Sequence, residues 1–515
     1  MNFGPITLAC LIGSVSAMAS PIQLHINPQG LAQHDLSIRG SSYSGAGISI
    51  NGLNLKSPWS AHFNSELPIA EQLFTAPEVH SGLVNASGHL IGTTAYTTDW
   101  QATRLQKSSF IGTEERYGTA LKGHTENSGA FVEWEKARRI DYDENDLNRT
   151  MGGAHLKTLV NDWTVDLLGG YQQKKYGTRG YFGSPDHNKQ ETIDTLVFAG
   201  AVKGELDDSF IRSGIAFRQL DINDLNSHYG IAMLEGQTME IQHIVLQLHS
   251  SAEHEYADGN SRTRGSFLFL PKARFEHLIV KVGVNSVFQT SEASKFLPIT
   301  GINWLVADNT EIYTAYSETV QQPDFQTLQN NPMLQMQASQ NSELGLQQFF
   351  SASLDWQVAT FHRQLKNASD WISGTATDLG SLNIYGAEST ICYSHSANLE
   401  LNLFYQWIHK SNNRTDGLYE LDYPEHILNL SACWKPVKEF SFYFNQSAQY
   451  QTENDARTSS NIGANASLGL HWLPHFANNV RLSFQVENLW GSSFQAIPGL
   501  KPRPTTSTAE ITVNW

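Results

Sequence analysis

Segments in which apolar and polar side chains alternate recur from about residue 90 to the end of this 515-residue chain. In residues 399–403 (LELNL) and 509–515 (AEITVNW) every second side chain is apolar. Successive side chains of a β-strand point to opposite faces, so each such segment predicts a strand with one apolar and one polar face. Because the pattern runs through most of the chain, it predicts an all-β fold.

The connections between these strands separate two all-β architectures, the soluble sandwich and the membrane barrel. Residues 160–162 and 435–438 are tight turns, whereas residues 174–190, 410–423 and 491–505 form long polar loops. Short connections on one side and long ones on the other are typical of an outer-membrane barrel. With about 425 residues and about 19 residues for each strand and its connection, we predict a transmembrane antiparallel β-barrel of about 22 strands. A barrel of this width has a lumen that is either plugged or leaks.

Composition and charge narrow the class of protein further. The formal net charge of −16 argues against a nucleic-acid partner. Outside the N-terminus, no apolar run reaches the ~18 residues that a membrane-spanning helix needs. The low share of charged residues, 16%, suits a transmembrane barrel, but a secreted soluble β-protein fits it as well. Fractionation with the outer membrane would separate these two classes.

The sequence carries none of the common catalytic motifs. It has no Gly-x-Ser-x-Gly, Walker or dinucleotide-binding fingerprint, and its histidines lack a Glu-x-x-His context. We therefore predict no catalytic residues and a protein that is not an enzyme.

The first 19 residues have the features of a secretory signal. Residues 6–15 are apolar and the small side chains of residues 17–19 precede Ser20, although the first five residues lack Lys and Arg. We predict removal of residues 1–19 and export to the bacterial outer membrane.

Two cysteines remain in the predicted barrel. Cys392 and Cys433 lie on predicted strands separated by one other strand, so their Cα atoms should be about 10 Å apart. This separation is beyond the reach of a disulfide. We predict two free thiols that face the lumen.

Residues 35–55 (DLSIRGSSYSGAGISINGLNL) differ from the rest of the chain. Two short alternating bursts flank a Gly- and Ser-rich stretch, which predicts a small mixed domain. This stretch resembles the plug domain of TonB-dependent outer-membrane receptors, and the vitamin B12 receptor branch in particular. Further phrases follow in the family's order, at residues 62–64, 67–68, 176–183, 313–317, 323–325, 342–346, 385–388, 423–430 and 486–489.

The resemblance implies a division into a signal peptide (1–19), a partial plug domain (20–95) and a transmembrane β-barrel (96–515). Such receptors usually carry a TonB box and a first plug half before the Ile-Arg-Gly phrase, which here begins about 15 residues after the predicted cleavage site. Residues 22–26 alternate and could serve either as a TonB-box strand or as the first strand of the plug, and we favour the plug. We therefore predict a reduced plug and weak or absent coupling to TonB.

The resemblance also implies a function. A monomeric barrel in outer-membrane lipid would take up a scarce, large nutrient, with a cobalamin-like corrinoid first and a ferric siderophore second. An inner-membrane TonB complex would move the plug, without covalent chemistry. Aromatic faces bind bulky flat ligands, and the candidate contact residues are Ser42, Tyr43, Trp59, His62 and Phe63 on the plug, and Tyr181 and Phe182 on a barrel loop. The alternative is an uncoupled barrel that serves as a passive pore, an adhesin or a structural envelope protein.

One set of charges is a candidate for holding the plug in place. By strand parity Glu343 and Glu388 point into the lumen, where Arg39 of the plug could meet them. The resemblance implies that this contact secures the plug, and a charge-assisted pairing is suited to that role. The alternative is that the three are independent solvated charges.

An acidic loop (DYDEND) is a candidate for the only cofactor that we predict, a calcium ion. Calcium takes oxygen ligands, and Asp141, Asp143, Glu144 and Asp146 offer carboxylates at short spacing. The resemblance implies that calcium can order outer loops in B12-type receptors. The spacing lacks the Gly and the terminal Glu of an EF-hand loop, so a plain solvated loop is the alternative.

Overall fold

The computed structural model describes residues 22–29, 32–68, 70, 74–98, 105–138, 145–183, 190–290, 292–395, 398–477 and 479–515. The predicted signal peptide lies outside these ranges. In the part of the chain that is described, no helix is long and apolar enough to cross a membrane.

Most of the chain forms one closed barrel of 22 antiparallel strands, β7 to β28, arranged in sequence order. This confirms the predicted fold class and strand number. The strands are β7 (Leu105–Gly112), β8 (Arg116–His124), β9 (Ser128–Ala137), β10 (Leu147–Val160), β11 (Trp163–Gly177), β12 (Gln190–Leu206), β13 (Ser209–Ile222), β14 (Leu225–Gln237), β15 (Ile244–Ala257), β16 (Asn260–Arg274), β17 (Leu278–Gln289), β18 (Lys295–Ala307), β19 (Thr310–Gln321), β20 (Gln337–Ser351), β21 (Leu354–Ile372), β22 (Thr375–His395), β23 (Leu399–Lys410), β24 (Pro424–Val437), β25 (Phe440–Gln451), β26 (Ile462–Trp472), β27 (Val480–Glu487) and β28 (Thr506–Asn514).

The alternating sequence gives the barrel two different faces. On β13, Ile211 and Ile215 point outward and are 46% and 56% exposed, whereas Ala216, Arg218 and Leu220 point inward and are buried. An apolar outer face that encloses a polar lumen is the arrangement that a lipid bilayer requires of a barrel. All barrel strands except β7 and β27, which have eight residues each, reach the length of about 9–11 residues that spanning the bilayer needs.

The two ends of the barrel differ in the length of their connections. At one end, the connections between the described strands range from two residues (161–162) to seven (473–479). At the opposite end, six connections range from nine residues (138–146) to eighteen (488–505), interspersed with short turns such as 223–224. Because outer-membrane barrels carry their longer loops outside the cell, we call the second end the outer end and the first the inner end.

Six short strands precede the barrel. They are β1 (Leu24–Gln29), β2 (Gln33–Ile38), β3 (Ala46–Ile50), β4 (Leu53–Leu55), β5 (Glu78–Ser81) and β6 (Gly92–Tyr96). Strands β1 and β2 form an antiparallel pair, and the other four form a mixed sheet in the order β4-β3-β6-β5. The alternating run at residues 22–26 therefore contributes to β1, the first strand of this segment.

We call residues 22–98 the N-terminal segment, and its described residues lie inside the lumen. Ile38, Ile48 and Leu53 are fully buried in one apolar cluster with inward-facing barrel residues such as Leu168 and Met233. Other clusters join the segment to β21–β23 and to β16 and β18. The segment therefore packs against a large arc of the barrel wall.

One short helix, α1 (Phe325–Asn330), lies in the outer-end connection between β19 and β20. The Asp324 carboxylate caps it by accepting from the Thr327 N–H at 2.8 Å. Its other oxygen accepts from the Ala61 N–H at 2.9 Å, so one side chain both begins the helix and holds the N-terminal segment.

Candidate ligand-binding site

An aromatic pocket opens at the outer end of the barrel, where the N-terminal segment meets four outer connections. It has a volume of about 880 Å³, a figure that includes space open to solvent. Its lining residues are Trp59, His62, Phe63, Phe182, Glu191, Ile222, Gln326, Trp371, Gly374, Leu418 and Tyr419. We call this the aromatic pocket.

His62 organises the aromatic rings beneath and beside the pocket. Its imidazole stacks on the ring of Tyr43 with centroids 3.5 Å apart, and its Nδ1 lies 2.8 Å from an Asp35 carboxylate oxygen. The rings of Phe182 and Tyr419 each lie 5.1 Å from the His62 ring. These contacts fix the imidazole, so the pocket floor is rigid and pre-formed.

Four of the seven residues that the sequence suggested as ligand contacts come together in this pocket. Trp59, His62, Phe63 and Phe182 line it. The remaining three do not line it: Ser42 and Tyr43 line small cavities beside it, and Tyr181 is fully buried against Tyr176.

Apart from Phe182, the residues on the barrel side of the pocket were not predicted from the sequence. Trp371 lies at the outer end of β21 and Tyr419 in the connection between β23 and β24, and both line the pocket. Trp371 Nε1 donates to the Tyr43 hydroxyl at 2.9 Å. Gln326, on α1, donates its backbone N–H to the Trp59 carbonyl at 2.9 Å. Aromatic residues in the long loops were the available signal, but their convergence depends on strand register.

The pocket is apolar and carries little positive charge. Among its described lining residues the only carboxylate is that of Glu191, and neither Lys nor Arg is present. The Tyr176 hydroxyl donates to Glu191 at 2.6 Å. Burying an anion against aromatic rings and a carboxylate is unfavourable, because no cation offsets the loss of its hydration. Among the described lining residues, no Lys or Arg would therefore offset the charge of an anionic ligand.

Arg39 of the N-terminal segment lies between two barrel glutamates. Its Nη1 donates to Glu343 at 2.7 Å, and its Nε and Nη2 donate to one Glu388 oxygen at 3.1 and 2.9 Å. The second oxygens of the two carboxylates accept from the Tyr313 hydroxyl and the Gln406 amide, at 2.6 and 2.8 Å. The three charged side chains are almost completely buried. We call Arg39, Glu343 and Glu388 the latch.

The guanidinium of the latch stays protonated, and Arg39 lies in a constrained turn of the backbone. Burial acts to lower the pKa of Arg39, but the two carboxylates outweigh it and raise that pKa above its ordinary value. Arg39 and Gly40 have φ angles of 52° and 67°, in the left-handed region that is costly for a residue with a side chain. The contacts of the Arg39 side chain therefore hold a strained turn at the end of β2.

Cationic side chains of the barrel also donate hydrogen bonds to backbone carbonyls of the N-terminal segment. These contacts were not predicted from the sequence. Lys174 donates to the Ala32 carbonyl at 2.6 Å, Arg218 to the Glu66 carbonyl at 2.9 Å, and Lys410 to the Gly40 carbonyl at 2.8 Å. Strand parity could have placed these cations in the lumen, but not their partners.

The acidic loop lies largely outside the described residues. Only Asp146 is described, and its side chain is exposed at the start of β10. Asp141, Asp143 and Glu144 lie outside the described ranges, so calcium binding stays a prediction.

The cysteines occupy the predicted strands. Cys392 on β22 and Cys433 on β24 are separated by β23, as the sequence predicted. Cys433 faces the lumen, where it lines a cavity, and Cys392 accepts from the Asn402 amide at 3.5 Å.

A buried histidine makes the stability of the N-terminal segment depend on pH. The His89 ring lies against Gly47, where a Cβ atom would come within 2.2 Å of it, and Nε2 faces the Ile48 carbonyl at 3.3 Å. Burial, with Lys56 nearby, lowers the pKa of His89 from 6.5 to about 4. Glu253 and Arg264 of the barrel also face it.

We expect the N-terminal segment to lose stability as the pH falls from 6.5 to about 4, because the unfolded segment binds a proton that folded His89 does not. The loss should approach about 3 kcal/mol and level off below pH 4. Hydrogen exchange of β3 and β6, corrected for the intrinsic pH dependence, measures it. His89→Gln should flatten the dependence more than His80→Gln, a change at a more exposed histidine of the same segment. Equal slopes in both variants would contradict the assignment.

A closed 22-stranded barrel with an apolar outer face and an N-terminal segment in its lumen is the architecture of a plugged outer-membrane transport barrel. The profile of the family described as "TonB dependent receptor-like, beta-barrel" matches residues 84–489. The chain belongs to this family of bacterial outer-membrane proteins. The finer resemblance to the vitamin B12 receptor branch has no support from the comparisons.

Solved structures of iron-uptake proteins share the fold. A mutant of the ferric enterobactin receptor PfeA from Pseudomonas aeruginosa matches with a TM-score of 0.75 at 13% identity, over 96% of this chain and 94% of that one. The siderophore receptor PirA from Acinetobacter baumannii matches with 0.75 at 12% identity, over 96% and 94%. The FrpB iron transporter from Neisseria meningitidis matches with 0.74 at 10% identity, over 96% and 95%. No curated protein sequence matches the chain. At these identities the likeness shows the fold.

Proposed function

We propose that this chain is an outer-membrane receptor that captures a metal chelate without net negative charge, with a neutral ferric siderophore as the first candidate. The aromatic pocket carries this proposal, because it opens at the outer end and its described lining has no Lys or Arg. The solved structures named above are siderophore receptors and iron transporters, which supports iron chelates as the ligand class.

Iron chelates differ in net charge, and the described lining of the pocket suits a neutral chelate better than an anionic one. A ferric tricatecholate such as ferric enterobactin carries three negative charges and needs cationic partners. A ferric trihydroxamate is neutral and can rest on the rings of Trp59, Phe63 and Tyr419. A cobalamin-like corrinoid, the first candidate from the sequence, also has a flat face, and we now place it second. Binding and release of either ligand would be non-covalent.

We expect the purified barrel to bind ferrichrome, a neutral ferric trihydroxamate, at least tenfold more tightly than ferric enterobactin. Quenching of tryptophan fluorescence measures both affinities, because Trp59 and Trp371 line the pocket. Trp59→Ala should weaken ferrichrome binding at least tenfold, since a large aromatic contact is worth about 2 kcal/mol or more. Cyanocobalamin is titrated in parallel.

The matched control is Trp163→Ala, at an exposed position of β11 beside an inner-end turn. It should leave the affinity unchanged. Tighter binding of ferric enterobactin, or equal effects of the two tryptophan variants, would contradict the proposal. Binding of cyanocobalamin alone would favour the corrinoid instead.

A further inference from the structure

A second cavity lies in the lumen, away from the aromatic pocket. Its volume is about 800 Å³, a figure that includes space open to solvent. All fifteen lining residues belong to β23–β28. They are Glu400, Asn402, Ser431, Ala432, Cys433, Tyr443, Asn445, Ser467, Gly469, His471, Ser483, Phe484, Gln485, Thr508 and Glu510. We call this cavity the vestibule.

The vestibule lies toward the inner end and is open to water. Glu400 and His471 are within two residues of the inner-end termini of β23 and β26. Along β25 the inward-facing Tyr443 and Asn445 are only half-buried. On β13, by contrast, the inward-facing Arg218 and Leu220 are each only 1% exposed beneath the N-terminal segment. The described part of the segment therefore covers one arc of the wall and leaves this one accessible.

The connection at residues 488–505 lies at the outer end of the strands that line the vestibule, and we call it the cap. It folds into the lumen, where the Phe494 ring rests on Gly463 of β26, so that a Cβ atom there would come within 2.6 Å of it. Farther along, Ile497 and Leu500 are buried in an apolar cluster with Phe63 of the N-terminal segment.

One buried ion pair anchors the cap. Arg457, in the connection between β25 and β26, donates from Nη2 to both oxygens of Asp422 at 2.8 and 2.7 Å. Its Nε donates to the Gln495 carbonyl of the cap at 3.2 Å, and the Thr458 N–H donates to the Gln495 side chain at 2.9 Å. The charged side chains of Arg457 and Asp422 are 0% and 2% exposed. Removing either charge leaves the other buried without its partner, which is strongly destabilising. The pair therefore stabilises the position of the cap, to which Arg457 is hydrogen-bonded.

We propose that the barrel has a second activity, the passage of small polar solutes along the β23–β28 wall, and that the cap gates it. With the cap held by Arg457, the vestibule opens only toward the inner end. When the cap moves outward, the vestibule continues to the cell exterior. This route does not pass through the aromatic pocket and does not depend on the ligand proposed above.

The lining defines the solute class. Hydroxyl and amide groups predominate, and the lining also includes the carboxylates of Glu400 and Glu510 and the imidazole of His471. By strand parity, Arg481 lies on the same inward face of β27 as Ser483 and Gln485. Such a mixed, hydrated lining suits small neutral or zwitterionic molecules and gives little selection between cations and anions.

Cys433 is a built-in reporter of the gate, because it lines the vestibule below the cap. In a Cys392→Ser background, a membrane-impermeant maleimide is added to the outside of intact cells. We expect slow labelling of the parent and at least tenfold faster labelling after Arg457→Ala. Cys433→Ser gives the background signal. The matched control is Arg414→Ala, which breaks an exposed pair with Asp416 at 2.9 Å and should leave the rate unchanged.

Two further measurements keep the proposal testable if Arg457→Ala does not insert. Asp422→Asn keeps the shape of the anchor and removes its charge, so it should also speed labelling. In planar bilayers, Asp422→Asn should have a higher conductance than the parent. In liposome-swelling assays, it should admit uncharged sugars. Equal labelling rates in the parent, Asp422→Asn and Arg414→Ala would overturn the gate. Fast labelling of the parent would likewise show that the cap does not close the vestibule.

Discussion

Removal of the last strand, residues 506–515, is expected to abolish insertion of the barrel into the membrane. Strand β28 pairs with β27 on one side and with β7 on the other, and it closes the ring. Without it, β27 and β7 each present a row of unpaired backbone groups to the bilayer, and each such group costs several kcal/mol in hydrocarbon. The deleted protein should lose heat-modifiable migration and become sensitive to protease.

The control separates loss of pairing from loss of apolar surface. Ile511 and Val513 share the outward face of β28, where Ile511 is 45% exposed. Replacing both with alanine keeps every backbone hydrogen bond of the strand, so this variant should still insert. Heat-modifiable, membrane-inserted protein after deletion of residues 506–515 would contradict the prediction.

The double variant Glu343→Gln with Glu388→Gln is expected to loosen the N-terminal segment while the barrel still folds. The glutamines keep the shape of the latch, but the Arg39 guanidinium stays buried without a countercharge. Breaking a buried pair in this way costs about 3–5 kcal/mol. A loss of this size raises the population of the displaced segment by about a hundredfold to several thousandfold. Leakage of small solutes and conductance in planar bilayers should both increase.

A second pair of glutamates gives a control with the same change of charge. Glu133 and Glu135 on β9 also face the lumen, but they pair with barrel cations: Lys122 at 2.8 Å, and Arg116 and Arg149 at 2.7 and 2.6 Å. Glu133→Gln with Glu135→Gln should leave the conductance near that of the parent. Unchanged conductance in the Glu343 and Glu388 variant would show that the latch does not hold the segment.

The candidate site was only partly predictable. The plug-like phrases placed Trp59, His62 and Phe63 on one short stretch, so local sequence could suggest them together. Phe182 came from a loop phrase of the barrel, and its contact with His62 depends on how that loop folds over the lumen. Tyr419 is an aromatic residue of a long loop and Trp371 lies at the end of a strand, but nothing local placed either at the pocket, because they reach it through the register of strands far apart in the chain.

The sequence by itself determined the barrel. Alternation fixes which side chains face lipid and which face the lumen, and the lengths of the connections distinguish the two ends, because both properties are local to a strand and its neighbour. The inward direction of Glu343 and Glu388 followed from the same parity.

Only the tertiary structure decided what fills the lumen. Lys174, Arg218 and Lys410 are inward-facing by parity, yet their partners are backbone carbonyls of a segment more than a hundred residues away. The cap over the vestibule likewise results from Ile497 and Leu500 burying apolar surface against that segment. These contacts depend on closure of the whole ring, and no local pattern of side chains encodes which arc of the wall stays open.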